Sequence, residues 1–136
     1  MKKKFILIIT HGDFGKGLLN GIEVIMGKQN DVVALGLNLG DNIEILQMEA
    51  EKIIKEKQNE NKDVIILVDL FGGSPFNIAL YIMKNYSVQV LTGLNMPMLI
   101  EMISSINNIS TDELISTGFE AGKDGIKKIE KSSLKL

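Results

Sequence analysis

"KKFILIITHGDFGKGLLNGIEVI", residues 3–25, decides how the chain folds. It opens with an apolar run, 5–9, whose side chains are greasy on both alternating faces. A strand of that kind belongs in a parallel sheet covered on both sides. The run stops at Thr10 and His11, turns through Gly12 and Asp13, and returns as Leu18, Leu19, Ile22, Ile25 and Met26 at helical spacing, with Gly27 as a stop. The reading is strand, turn, helix. The pattern then recurs. Further apolar runs lie at 32–37, 64–70 and 88–91. Asp41 or Asn42 can cap a helix with the face Ile43, Leu46, Ala50, Ile53 and Ile54. Pro75 suits a first helical turn ahead of Phe76, Ala79, Leu80 and Met83. Asn95 can cap a helix carrying Pro97, Leu99, Met102 and Ile103. Thr111 opens a last helix through Leu114, Ile115 and Phe119, ending near Gly122 or Gly125. Strand–helix alternation predicts an α/β domain over 1–136: a three-layer sandwich with a mainly parallel four-stranded sheet, helices on both faces and right-handed crossovers.

Composition narrows the function. The 136 residues are 45% hydrophobic and 24% charged, ordinary values for a globular domain. A net charge of −2 argues against nucleic acid as a partner, because a phosphate-tracking surface is basic. All 15 cations are lysine, so no bidentate arginine clamp is available for phosphate or carboxylate. The absence of cysteine excludes disulfides and thiolate metal sites. One histidine without cysteine leaves only hard carboxylate metal ligands, in no recognisable spacing, and no cofactor is expected. Lys2 to Lys4 followed by FILII resemble the start of a secretion signal. The apolar run is too short for one, no cleavage site follows, and a cytoplasmic location is expected.

In an open parallel sheet, ligands bind beyond the carboxyl ends of the strands. Three segments meet there: THGDFGKG after the first strand, VDLFGGSPFN after the third and TGLNMPM after the fourth. The loop after the second strand, NLGDN, reads as a plain turn into a helix cap. His11, the only histidine, can be a structural residue, but it stands at a strand end just before a helix whose free N–H groups favour anions. Asp69 closes a buried run, a costly place for a carboxylate unless it is paired; a His11–Asp69 pair on neighbouring strand ends explains both. Asp13 reads as a turn residue or N-cap, and Lys16 as solvent-facing. In GGSPFN, Gly72 and Gly73 allow close backbone approach, and the Ser74 hydroxyl can cap the helix that Pro75 starts. The stretch is either a tight loop or a small anion nest. It is no P-loop, since the lysine is missing. A serine hydrolase built on Ser74, His11 and Asp69 is disfavoured. It lacks the nucleophile elbow, and Pro75 removes the N–H such an oxyanion hole uses.

Together IITHGDFGKGL, ILVDLFGGSPFN and LTGLNMPMLIEMI resemble the IIA component of the mannose family of the bacterial phosphoenolpyruvate:sugar phosphotransferase system (PTS). The resemblance covers nearly the whole chain, with the motifs in the expected order. It implies a phosphoryl carrier: His11 accepts phosphate from the phosphocarrier protein HPr and passes it to a histidine of the IIB component, which serves the membrane IIC and IID subunits. By position it makes Asp69 the orienting carboxylate, Gly12, Gly73 and Ser74 the phosphate-binding residues, and Ser74 a hydrogen-bond donor. It implies a homodimer with a short C-terminal strand exchanged between subunits, expected near 126–131. Phe71 stands where some members carry tryptophan, and IIB is expected on a separate chain. The phosphotransferase subunit of dihydroxyacetone kinase shares the histidine-bearing first loop, but GGSPFN and NMPMLIE favour the mannose family. A non-catalytic small-ligand or regulatory module using the same crevice is the alternative of a different class; it predicts no phosphorylation of His11.

Overall fold

Alternate residues of the first strand enter two different cores, and this organises the molecule. In the computed structural model, which describes residues 2–134, β1 (Lys3–His11) sends Ile6 and Ile8 to one face and Phe5, Leu7 and Ile9 to the other, all essentially solvent-free. Each such side chain taken from water contributes about 1.5–3 kcal/mol, so two-sided burial anchors the strand strongly. The remaining elements follow in order: α1 (Phe14–Met26), β2 (Val32–Leu37), α2 (Ile43–Asn59), β3 (Lys62–Val68), α3 (Ser74–Asn85), β4 (Val88–Leu91), α4 (Met96–Ser105) and α5 (Thr111–Asp124). The four strands are parallel in the order β2-β1-β3-β4.

Ile22 of α1, Leu99 and Met102 of α4 and Leu114 of α5 pack on the face with Ile6 and Ile8. Leu46, Ala50 and Ile54 of α2 and Ile78, Ala79 and Ile82 of α3 pack on the face with Phe5, Leu7 and Ile9. This is the three-layer α/β sandwich expected from the sequence. The helix ends carry the chemistry that sets them. Asn42 Oδ1 accepts from the amides of Glu44 and Ile45 at 2.8 and 3.3 Å. Asn95 Oδ1 accepts from Met98 N at 3.0 Å. Ser110 and Glu113 form a reciprocal capping box before α5.

Some faces differ from the expected ones. The core side of α3 is Pro75, Ile78, Ala79 and Ile82, while Leu80 and Met83 are exposed and Phe76 only partly buried. That helix is apolar nearly all round, so spacing alone does not choose its face. Ile25 and Ile43 are exposed as well. The third strand ends at Val68, leaving Asp69 and Leu70 in the loop. Residues 126–130 form no strand in the single chain. They are exposed and lead into one 3₁₀ turn, Lys131–Ser133. A strand needs a ladder partner, and this segment has none among the described residues of the single chain. No helix among the described residues is long and apolar enough to cross a membrane.

Candidate functional site

The parallel register brings the ends of β1 and β3 side by side. Ile9 pairs with Val68, so His11, two residues on, lies at the same edge as Asp69, one residue on. Asp69 Oδ2 accepts from the backbone N–H of His11 at 3.0 Å and lies 2.9 Å from its ring Nδ1. Two contacts from one residue to one oxygen fix the imidazole rotamer as well as its position. The carboxylate accepts from Nδ1 only if that nitrogen carries the proton, which in the neutral ring leaves Nε2 with a free lone pair. The His11 side chain is 50% exposed and that of Asp69 14%. Asp69 Oδ1 is buried and meets no donor among the described residues, so His11 is the residue that satisfies this carboxylate.

The far side of the ring faces the start of α3. A Cβ placed on Gly73 would lie 3.1 Å from His11 Cε1 and 3.2 Å from Nε2, and Gly73 has φ +86°. Glycine is needed here on both counts: the backbone is left-handed and the ring lies too close for a methyl group. Gly73 is also the N-cap of α3. Asn77 N already donates to Gly73 O, and Pro75 has no N–H. The amides of Ser74 and Phe76 therefore remain as first-turn donors that meet no acceptor among the described residues, at the positive end of the helix. Ser74 is the first helical residue rather than the cap expected from the sequence, and its hydroxyl makes no capping bond. The glycine before it closes the turn instead.

Gly12 does something other than expected. Its N–H donates to Leu37 O at 2.7 Å and its carbonyl accepts from Thr10 Oγ1 at 3.4 Å. It shapes the turn and has no amide to offer an anion. Two residues that sequence reasoning passed over hold that turn. Thr10 is fully buried, and its hydroxyl accepts from Gly15 N at 2.9 Å, capping α1 in place of Asp13, whose side chain makes no cap bond. Gly36 lets the turn pass: a Cβ there would collide with Gly12 O. A polar residue ending a buried strand was the available signal for Thr10. Gly36 sits inside an apolar run and gave none. Lys16 is exposed, as expected.

The arrangement supplies an oriented, accessible imidazole nitrogen beside an anion-favouring helix end. Among the described residues no group of three histidine, cysteine or carboxylate side chains gathers to hold a metal. A groove of about 670 Å³ lies between α4 and α5, and none of its lining residues belongs to the loops after β1 or β3. The chemistry is at an open edge, where another protein can reach it.

Fold and site thus define a parallel α/β domain bearing a carboxylate-oriented histidine at its strand-end edge. Comparison with known proteins makes this particular. The family model described as "PTS system fructose IIA component" (EIIA-man) matches residues 5–118. The chain belongs to this IIA family of the phosphotransferase system. It is 35% identical over 127 residues to the mannose-specific EIIAB component of Escherichia coli (strain K12), covering 92% of this chain. The chain spans only 39% of that relative's length. The fructose-specific EIIA component of Bacillus subtilis is 30% identical, with 82% of this chain and 76% of that protein aligned. The mannose/sorbose-specific IIA subunit from Enterococcus faecalis superposes with a TM-score of 0.85 at 27% identity, covering 98% of this chain and 99% of that one.

Proposed function

We propose that this protein is a phosphoryl carrier of sugar uptake: His11 takes phosphate from phosphorylated HPr and hands it to a IIB component. The observation that carries the reading is the imidazole held at Nδ1 by Asp69, with Nε2 turned toward Gly73 and the start of α3. In the forward step Nε2 attacks phosphorus. The Nε2–P bond forms as the N–P bond of the donor histidine breaks, and that bond's electron pair stays on the donor ring. No proton has to leave Nδ1; the ring becomes cationic and Asp69 faces the new charge. The amides of Ser74 and Phe76 and the Ser74 hydroxyl then face the phosphoryl oxygens at the helix end. Neither metal nor nucleotide is required. The absence of arginine suits a relay that must release what it binds.

The same reading makes IIB the acceptor, with the membrane IIC and IID subunits beyond it, and places the protein in the cytoplasm. The sugars for which its relatives are named, mannose, fructose and sorbose, differ, as suits a subunit that hands on phosphate and never touches the sugar. We further take the protein to act as a homodimer in which residues 126–131 pair with a second copy. Ile126 and Ile129 are 78% and 72% exposed in the single chain, and β4 is an open sheet edge.

Incubation with phosphoenolpyruvate, enzyme I and HPr, followed by intact mass measurement under alkaline conditions, tests the function. One phosphoryl increment on wild type and none on folded His11→Ala is the expected result. No increment on wild type favours the non-catalytic module. An increment on the variant removes His11 from the role.

A further inference from the structure

The sheet has two edges, β2 and β4. β4 is short, Val88–Leu91, carries Gln89, and is the edge given above to residues 126–131 of a second copy. β2 is left uncovered, and its sequence does nothing to guard it. Natural edge strands are blunted by charge, proline or a bulge. Val32–Leu37 reads VVALGL, with neither charge nor proline, and its register against β1 runs unbroken from Ile6 with Val32 to His11 with Leu37.

The ladder decides which backbone groups this edge offers. Ile6 N donates to Asp31 O at 2.9 Å and Gly12 N to Leu37 O at 2.7 Å. The odd-numbered residues of β2 thus bond β1, and the N–H and C=O groups of Val32, Ala34 and Gly36 point the other way. No further strand meets them among the described residues. On the α2 side the edge is flanked by apolar surface. Val33 alternates in step with Leu35 and Leu37, which pack toward α2, and it is 36% exposed, while Ile45 of α2 is 64% exposed. Beside them Gly36, Asp41, Ile45, Leu46 and Glu49 line a hollow of about 260 Å³. The hollow is acidic: neither Asp41 nor Glu49 makes an ion pair among the described residues.

We propose that the outer edge of β2 is a docking site for an extended, basic segment of a partner protein, which adds to the sheet as a further strand. Main-chain bonds to Val32, Ala34 and Gly36 supply affinity, and side chains on the α2 face supply choice. An apolar side chain lies against Val33 and Ile45, and a lysine or arginine lies over the hollow, where Asp41 and Glu49 complement its charge. A second copy pairing through its own β2 has no cation to offer there, since VVALGL contains none. The site is additional to the function given above. It lies at the side of the sheet, whereas His11 Nε2 turns the other way, toward Gly73.

The probe is the peptide KTVTVTK, blocked at both ends and titrated into the full chain labelled for amide NMR. Its palindromic order offers a lysine to the hollow whichever way it runs. The expected result is binding with a dissociation constant of roughly 0.1–1 mM, with slowed solvent exchange at the amides of Val32, Ala34 and Gly36. Ala34→Pro removes an outward N–H and leaves the β1 ladder its bonds, and proline is tolerated on an edge. Glu49→Lys reverses the charge at the hollow. Each variant is expected to weaken binding roughly tenfold, as is a peptide with glutamate in place of lysine. No protection at the three amides, or equal binding by wild type and both variants, overturns the proposal. So does self-association in sedimentation that Ala34→Pro abolishes, because a second copy then owns the edge. Binding is read without a phosphoryl donor, so the outcome stands whether or not His11 is a carrier.

Discussion

Asp69 Oδ2 is shared between two nitrogens of His11, the backbone amide at 3.0 Å and ring Nδ1 at 2.9 Å. One oxygen therefore sets both where the histidine is and which way its ring faces. Asp69→Asn keeps the shape but removes the charge, and the amide can turn an N–H toward Nδ1 and trap the wrong tautomer. The variant is expected to fold while phosphoryl transfer falls roughly 10²–10⁴-fold, the range for losing acid–base assistance. Rapid-quench transfer from phosphorylated HPr measures it. A rate close to wild type would make Asp69 a structural cap.

Gly73→Ala tests the other side of the ring. The methyl group would sit 3.1–3.2 Å from Cε1 and Nε2, on a backbone with φ +86°. A stability loss of about 1–3 kcal/mol is expected from the backbone strain alone. Phosphoryl transfer is expected to fall beyond what the unfolded fraction explains, because the methyl crowds the attacking nitrogen. Denaturant melts and labelling of the folded fraction separate the two effects. Full labelling of the folded variant would show that phosphate approaches from elsewhere.

Thr10→Val keeps the side-chain volume and removes the hydroxyl that caps α1. The amide of buried Gly15 loses its acceptor. A cost of about 1–3 kcal/mol is expected for a buried donor left unpaired, with Thr10→Ser recovering most of it. A valine variant as stable as wild type in urea would mean that the turn finds another cap.

A fourth expectation concerns pH and lies at the opposite edge of the sheet. Asp63 accepts from Thr111 Oγ1 at 2.6 Å and pairs with Lys2 Nζ at 3.1 Å, tying the start of α5 to β3. The Thr111 hydrogen bond, helped by Lys2 and Lys4 against partial burial, holds its carboxyl below the usual carboxylate range. A depressed carboxyl stabilises the folded state above its unfolded pKa, and that contribution disappears as pH falls through the folded value. The wild-type melting temperature is therefore expected to drop on acidification below the ordinary aspartate range. Asp63→Asn should be less stable at neutral pH and show a shallower acid decline. Parallel profiles for the two proteins would contradict this.

What the sequence made legible followed from local pattern. Apolar runs with greasy residues on both faces identified the strands, and Asn42, Pro75, Asn95 and Gly27 marked helix ends that the structure keeps. His11 and Asp69 could be brought together because a parallel sheet gathers strand ends on one edge. The residues passed over depend on tertiary approach. Gly36 is required only because the His11 turn crosses it, and Thr10 caps α1 only because the turn brings Gly15 back over it. The face of α3 was misjudged where a helix apolar on most sides gives no contrast to read.

The two-sided burial of β1 has a dynamic consequence. A strand hydrogen-bonded on both sides between two cores opens only with the whole domain, so its amides are expected to exchange with solvent at the slowest, global rate. His11 is the last residue of that strand. On the proposed function, the group that meets one protein after another is thus mounted at the end of a strand expected to open only with the whole domain, and its orientation is settled at folding rather than at each encounter.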